Sequence, residues 1–287
     1  MEAWRIAAAG LAAASVVGSG VAGFCTQALG ADKTYVQQGK DQHMVLVELY
    51  TSQGCSSCLP ADQLQTELAG RPDVLALTFP VDYWDFLGWH DTLAHPANSQ
   101  RQMDYSKRSQ SGRVFTPQMV LDGVVSAIGS ERQDVMPKLN DREMVASRVP
   151  LTIGVKDDQV SVAVPAAPGA LNGSETGKAT LWLFPFGKVS VVHIGGGENV
   201  GRSVRYAHVV GNFVGLGQWS GASVTYEHTL DSGDRDEFGY AAVLQEDHVG
   251  PVIGVAWAGD SARMDQAPVA PDAGVDADPL SVNTIAR

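Results

Sequence analysis

The feature that most constrains this chain is a pair of cysteines three positions apart, in the run Cys55-Ser56-Ser57-Cys58. The chain has 3 cysteines, and the remaining one, Cys25, lies in an N-terminal stretch that we expect to be removed. A disulfide across such a short loop stabilises a fold very little. A pair with this spacing that follows a predicted strand is typical of thiol–disulfide chemistry. The spacing therefore favours a reactive pair over a structural crosslink.

Residues 1–30 have the pattern of a signal peptide. Arg5 is followed by an uncharged run rich in Ala, Gly and Val, and Ala28-Leu29-Gly30 offers small residues at the positions that a signal peptidase recognises. The run is also long enough for an uncleaved membrane anchor. We expect cleavage before Ala31, a periplasmic or secreted location, and no stable membrane insertion after cleavage.

Composition and charge limit the classes of partner. The chain has 287 residues, 44% hydrophobic and 18% charged, which describes a folded protein with room for two domains. Its formal net charge is -12. Such a charge repels the phosphates of nucleic acids and the headgroups of anionic lipids. We therefore expect no nucleic acid among its partners.

The hydrophobic pattern divides the chain after the signal peptide. Residues 31–149 predict the order strand, helix, strand, helix, hairpin and helix, with Asp122-Gly123 as the hairpin turn. Residues 150–262 predict short strands separated by Gly-rich turns, typical of a sandwich. Residues 263–287 are rich in Ala, Pro and Asp, and we expect them to be disordered. The predicted fold class is an α/β thioredoxin-like domain followed by a mostly β, sandwich-like domain.

The position of the cysteines predicts a role for each. Cys55 follows a predicted strand, and Cys58 falls in the first turn of a predicted helix, where the helix dipole and free backbone N–H groups stabilise a thiolate. We expect Cys55 to be the exposed, more acidic nucleophile and Cys58 to be the shielded thiol that resolves a mixed disulfide.

Two other interpretations of the cysteine pair remain open. One is a structural disulfide. The other is a metal site: zinc would need two further ligands, and no second C-x-x-C is present. A copper site formed by both cysteines and one of His43, His90 or His95 is compatible with the sequence.

Further residues are candidates for the same site. Thr116-Pro117 precedes the third predicted strand, where a cis peptide bond would turn the backbone toward the cysteines. Glu48 lies on the strand that leads to Cys55, and we consider two placements for it: buried beneath the cysteines as a possible proton shuttle, or facing a sheet edge.

An aromatic and acidic loop, residues 80–91, follows the second predicted strand. Strand ends in open α/β sheets face the ligand crevice, so we expect Asp82, Trp84 and Trp89 to form a wall of the substrate groove. Packing of this loop against the β part is the competing interpretation.

Longer motifs surround these residues. In the α/β part they are Thr51-Ser52-Gln53-Gly54-Cys55-Ser56-Ser57-Cys58, Asp82-Tyr83-Trp84-Asp85, Leu87-Gly88-Trp89, Arg101-Gln102 and Thr116-Pro117-Gln118. In the β part they are Gly197-Glu198-Asn199, Gly201-Arg202, Leu216-Gly217 and Trp219-Ser220-Gly221. Over most of residues 44–258 the chain thus resembles the DUF1223 family, bacterial secreted proteins of unknown function with a thioredoxin-like fold. The resemblance implies a thioredoxin-like site at Cys55, Cys58 and Pro117 and supplies no substrate.

The sequence as a whole predicts an exported thiol–disulfide oxidoreductase. Its substrate would be a thiol or disulfide, in a protein or a small molecule, and it would need no cofactor or resident metal. The alternative is a protein that handles copper, or a binding adaptor, built on a thioredoxin-like scaffold.

Overall fold

The structure is a computed structural model. It describes residues 36–38, 44–145, 149–231 and 239–259. Over these residues the protein is mostly β, with several sheets and few helices. The predicted signal peptide (residues 1–30) and the predicted disordered tail (residues 263–287) lie outside the described residues. Among the described helices, none has both the length and the apolar character needed to cross a bilayer.

The α/β part has the element order that the hydrophobic pattern predicts. Its elements are β2 (Val45–Thr51), α1 (Leu59–Leu68), β3 (Val74–Pro80), α2 (Pro96–Arg108), β4 (Gln118–Leu121), β5 (Val125–Ile128) and α3 (Arg132–Glu143). They form a four-stranded sheet in the order β3-β2-β4-β5, with β2 parallel to β3 and antiparallel to β4. Asp122 and Gly123, both with positive φ, make the tight turn between β4 and β5.

The β part contains a five-stranded sheet, a three-stranded sheet and a hairpin. Its strands are β6 (Thr152–Lys156), β7 (Gln159–Val164), β8 (Ala179–Phe186), β9 (Val189–His193), β10 (Ser203–Ala207), β11 (Val214–Trp219), β12 (Val224–Thr229), β13 (Gly239–Glu246) and β14 (Val252–Gly259). The larger sheet has the order β1-β14-β13-β8-β11, with β1 (Val36–Gln38) at one edge, and the smaller has the order β12-β7-β6. The hairpin pairs β9 with β10.

The pattern did not predict β11, and its glycines explain why. Gly215 and Gly217 interrupt the apolar alternation that marks a strand. A Cβ at Gly217 would lie 2.6 Å from the Tyr226 ring. The missing side chain therefore makes room for an aromatic ring of β12, a contact that only the tertiary structure creates.

Three apolar cores hold these layers together. One lies between the three-stranded sheet and one face of the five-stranded sheet, and another lies between the four-stranded sheet and the helices α1 and α3. The third joins the opposite faces of the four- and five-stranded sheets, with Phe79 of β3 against Phe184 of β8. Residues alternate between cores along β13, where Val243 faces the shared core and Leu244 faces the other.

The described residues all belong to one compact unit. The α/β part before residue 150 and the β part after it therefore pack together, through the shared core. The division into domains at this position stays a prediction.

A buried ion pair lies in the shared core. The Arg101 guanidinium on α2 donates from Nε to Glu48 Oε1 at 2.8 Å and from Nη2 to Gln245 Oε1 at 2.9 Å. The same guanidinium lies 5.0 Å from the centroid of the Phe184 ring and 5.3 Å from that of Tyr105. Burying such a charge is stabilising only while its partners stay in place.

We predict that Arg101→Met lowers the free energy of unfolding by about 3–5 kcal/mol, because it leaves the Glu48 carboxylate buried without its cation. Urea denaturation measures the change. Arg132→Met is the matched control, since the Arg132–Glu67 pair is 56% and 55% exposed and should contribute less than about 1 kcal/mol. Equal losses in the two variants would contradict a structural role for the buried pair.

Candidate functional site

The two cysteines lie at the junction between β2 and α1. β2 ends at Thr51, a short loop leads to Cys55, and a 3₁₀ turn over Ser56–Cys58 runs directly into α1. Pro60 occupies the first turn of α1, where its missing N–H costs no helical hydrogen bond. A disulfide joins Cys55 and Cys58. The pair therefore lies at the carboxyl end of a central strand and at the start of a helix.

The disulfide is buried, and this corrects one expectation. The predicted outward-facing sulfur of Cys55 is not found, because Cys55 and Cys58 both have an exposed fraction of 0%. Ser56 and Ser57 between them are exposed, and the Ser57 hydroxyl lies 3.4 Å from Cys55 Sγ. The assignment of Cys55 as nucleophile and Cys58 as resolving thiol stays a prediction.

Glu48 does not lie beneath the cysteines. Its neighbours Val47 and Leu49 face the core under α1, so Glu48 faces the opposite side of the sheet, where it pairs with Arg101. It is fully buried, so the interpretation of an edge-facing side chain is also wrong. This placement gives no support to a proton-shuttle role, because its partner is a permanently charged guanidinium.

Asp62 is the buried carboxyl group nearest in sequence to the cysteine pair. It was not singled out from the sequence. Asp62 lies one helical turn beyond Cys58 and is 2% exposed. Its Oδ1 accepts a hydrogen bond from Thr51 Oγ1 at 2.7 Å, while Oδ2 has no hydrogen-bond partner among the described residues. Burial raises the pKa of this carboxyl well above its ordinary value, and the Thr51 hydrogen bond partly opposes that rise. The available signal was the four-residue spacing from Cys58.

Two further buried groups are electrostatically coupled to Asp62. Asp91, 1% exposed, accepts a hydrogen bond from the Gln53 backbone N–H at 2.7 Å, and burial raises its pKa. Tyr206 of β10 is 2% exposed, and its hydroxyl has no hydrogen-bond partner among the described residues. Burial raises the pKa of Tyr206, and the charges of Asp62 and Asp91 add to that effect. The three groups come from three distant parts of the chain.

Thr116-Pro117 precedes β4 and is a cis peptide bond, as predicted. Since Gln118 pairs with Tyr50, Pro117 lies next in register beside Thr51, at the end of the sheet from which the cysteine loop leaves. Gln102 of α2 holds the segment, because its Nε2 donates to Phe115 O and to Gln118 Oε1, each at 2.8 Å.

The aromatic and acidic loop lies beside the residues that precede Cys55. Trp89 Nε1 donates to Gln53 Oε1 at 2.7 Å, and a Cβ added at Gly54 would meet Trp84 Cβ at 3.4 Å. Trp89 also packs against the β part, as the competing interpretation holds. Asp82 bonds to α2 instead, where its Oδ1 accepts from Ser99 Oγ at 2.5 Å. The substrate-binding role of Asp82, Trp84 and Trp89 stays a prediction.

The histidines considered for a copper site have other contacts. His90 Nδ1 lies 2.5 Å from Asp85 Oδ2, and His95 Nδ1 accepts from the Ala97 N–H at 3.2 Å. His43 lies outside the described residues. No group of three potential metal ligands occurs in the part of the chain that the structure describes.

These features define a mostly β protein with a buried disulfide at the end of a central strand. The model of the family described as protein of unknown function (DUF1223) matches residues 46–245, and the chain belongs to this family. A crystal structure of a protein from Agrobacterium tumefaciens is similar, with 27% identity and a TM-score of 0.65 over 77% of this chain and 96% of that one. HBP35 of Porphyromonas gingivalis is similar in fold alone, with 12% identity and a TM-score of 0.52 over 76% of each chain. No curated protein shows significant sequence similarity.

We predict that Asp62→Asn removes part of the pH dependence of stability. The folded-state pKa of Asp62 is raised. The wild-type unfolding free energy therefore falls as the pH rises from the unfolded-state pKa of about 3.9 toward the folded-state value. Asparagine keeps an oxygen for Thr51 and cannot ionise. Urea denaturation of the oxidised proteins from pH 4 to pH 8 should show the variant gaining stability relative to wild type.

Asp134→Asn is the matched control, because Asp134 is 41% exposed on α3. Its stability should stay within about 0.5 kcal/mol of wild type across the range. Parallel curves for Asp62→Asn and wild type would show that Asp62 does not carry a raised pKa in the folded protein.

Proposed function

We propose that this protein is an exported thiol–disulfide oxidoreductase whose α/β part is thioredoxin-like. The observation that carries the proposal is the disulfide itself. It joins two cysteines at the start of α1, where the helix dipole and backbone N–H groups stabilise a thiolate, and a buried carboxyl group follows one turn later. A structural crosslink of this span would contribute little to stability.

The arrangement of the α/β part supports the thioredoxin-like assignment. The sheet order β3-β2-β4-β5 places the strand before the cysteines in the middle, with the second strand parallel to it on one side and the hairpin on the other. Ligand sites in open α/β sheets lie at the carboxyl ends of such parallel strands. At that end, Cys55 follows β2, Trp84 follows β3, and Pro117 precedes the antiparallel strand β4.

The exchange step can be written with the groups present. An incoming thiolate attacks Cys55 Sγ, the Cys55–Cys58 bond breaks, and its electron pair leaves on Cys58 Sγ. Asp62, whose carboxyl pKa burial raises, would supply the proton that converts the Cys58 thiolate to a thiol. In the reverse direction the Asp62 carboxylate accepts that proton as Cys58 attacks a mixed disulfide. A second thiol of the reductant completes the reduction, so no cofactor is required.

The substrate would be a thiol or disulfide in a protein or small molecule. We assign the contact with the substrate chain to Thr116 and Pro117, since Pro117 lies in register beside Thr51, and to Trp84 and Trp89, which lie beside the loop before Cys55. Tryptophan combines a large apolar surface with an N–H donor, which suits contact with a peptide chain. The predicted signal peptide supports export to the periplasm or beyond, a compartment where disulfides persist.

We predict that the pair has a reduction potential between about -270 and about -120 mV, the range of exchange catalysts. Equilibration with glutathione or dithiothreitol buffers, followed by alkylation and mass measurement, gives the value. A potential below about -300 mV, typical of structural disulfides, would contradict the proposed function.

We also predict that Cys58→Ala accumulates mixed disulfides through Cys55, whereas Cys55→Ala does not. Without Cys58 the mixed disulfide has no internal thiol to resolve it. Non-reducing electrophoresis of material trapped in cells, compared with the same material after reduction, measures the adducts. Equal trapping by both variants would reverse or remove the assignment of nucleophile and resolving thiol.

A further inference from the structure

The β9–β10 loop crosses the cysteine loop, and its contacts fall on either side of Cys55. Asn199 Nδ2 donates to the Gln53 backbone oxygen at 2.9 Å, on the N-terminal side. Glu198 Oε2 accepts from Ser56 Oγ at 2.7 Å and from the Ser56 N–H at 3.3 Å, on the C-terminal side. We call residues 195–199 the strap. It comes from the β part, about 140 residues away along the chain from the cysteines it contacts.

Glycines let the strap lie close to the aromatic and acidic loop. A Cβ at Gly195 would lie 2.8 Å from Trp89 Cζ3, and a Cβ at Gly196 would lie 2.8 Å from the backbone oxygen of Gly88. Gly197 adopts a φ of +70°, which residues with a side chain rarely adopt. The strap therefore lies flat against the aromatic loop, and any side chain at these positions would lift it.

The base of the strap is fixed while its far end is held by polar contacts. The Gly201 N–H donates to Ile194 O at 2.8 Å, and the Ile194 N–H donates to Arg202 O at 2.9 Å, which closes the loop as a hairpin. Ile194 is fully buried, whereas Glu198 is exposed. An exposed carboxylate bonded to a serine is an attachment of modest strength. Movement of the strap about its base would break the Glu198–Ser56 hydrogen bonds and the buried Asn199–Gln53 hydrogen bond, but would leave Ile194 in place.

A closed strap conflicts with the chemistry proposed for the disulfide. Attack on a disulfide needs access to a sulfur atom along the S–S axis, and both cysteines have no exposed surface. Trp84 and Trp89 cover the same loop from the α/β part, but Trp89 rests against the strap glycines. Displacing the strap would open this loop by breaking its polar contacts with Gln53 and Ser56, without moving α1 or the sheet.

We propose that the strap is a lid that controls access to Cys55 Sγ, with Glu198 bonded to Ser56 as its latch. The proposal rests on the proposed function, which requires that a thiol reach this sulfur. Only partners able to react with, or induce, the open form would exchange disulfides with the protein. The strap thereby contributes to partner selection in addition to shielding the pair.

The test measures the rate at which excess dithiothreitol reduces the Cys55–Cys58 disulfide. Samples are quenched by alkylation at successive times, and their masses give the reduced fraction. Glu198→Ala should react about fivefold faster than wild type, because it removes both hydrogen bonds of the latch. Gly196→Ala should also react faster. Because this variant retains the negative charge of Glu198, its faster reaction could not come from weaker repulsion of the dithiothreitol thiolate. Circular dichroism establishes that the variants are folded.

Two matched controls accompany these variants. Glu227→Ala removes an exposed carboxylate from β12, and Gly70→Ala adds a Cβ with only one neighbour, at an ordinary 3.4 Å. Both should react within twofold of wild type. The lid is overturned if neither strap variant is faster, or if Glu198→Ala alone is faster, since the latter would be an effect of charge.

The same proteins separate this inference from the proposed function. Faster reduction in both strap variants, with no catalysed reduction of a protein disulfide such as insulin by any of them, would sustain the lid and reject the oxidoreductase. Catalysis by wild type together with unchanged reduction rates in the strap variants would sustain the oxidoreductase and reject the lid.

Discussion

The Arg101–Glu48 ion pair lies inside the apolar core that joins the two parts, and it constrains how they pack. Arg101 lies on α2, Glu48 on the strand that leads to the cysteines, and Gln245, which accepts a further hydrogen bond from the guanidinium, on a strand of the β part. A guanidinium without water around it needs these acceptors, and the rings of Trp182 and Phe184 supply further stabilisation at 5.4 and 5.0 Å. Separating these partners would leave buried charges unpaired, so the pair adds a directional constraint to the apolar packing of β8 and β13 on the four-stranded sheet.

That arrangement in turn positions the hairpin that reaches the disulfide. The chain after β10 bonds to the edge of β3, where the Thr78 N–H donates to His208 O and the Val210 N–H donates to Thr78 O, each at 2.9 Å. This pairing aligns β10 with α1, so that Tyr206 comes close to Asp62 and the strap reaches Gln53. The β part is therefore structural support for the site and also supplies groups to it.

Two buried carboxyl groups of the α/β part, those of Glu48 and Asp62, have different surroundings. Glu48 faces a cation and serves the packing of the two parts. Asp62 has no ion-pair partner among the described residues, and burial raises the pKa of its carboxyl group.

The sequence by itself determined the spacing of the cysteine pair, the order of strands and helices in the α/β part, the turn at Asp122-Gly123 and the predominance of strands after residue 150. These features depend on local spacing, apolar periodicity and turn chemistry, which residues close together in the sequence determine. Only the tertiary structure decided which face Glu48 occupies, that Asp62 is buried and bonded to Thr51, and that residues 195–199 contact the chain on both sides of Cys55. Each of these depends on contacts between segments distant in the chain, for which burial and register, not local pattern, decide the outcome.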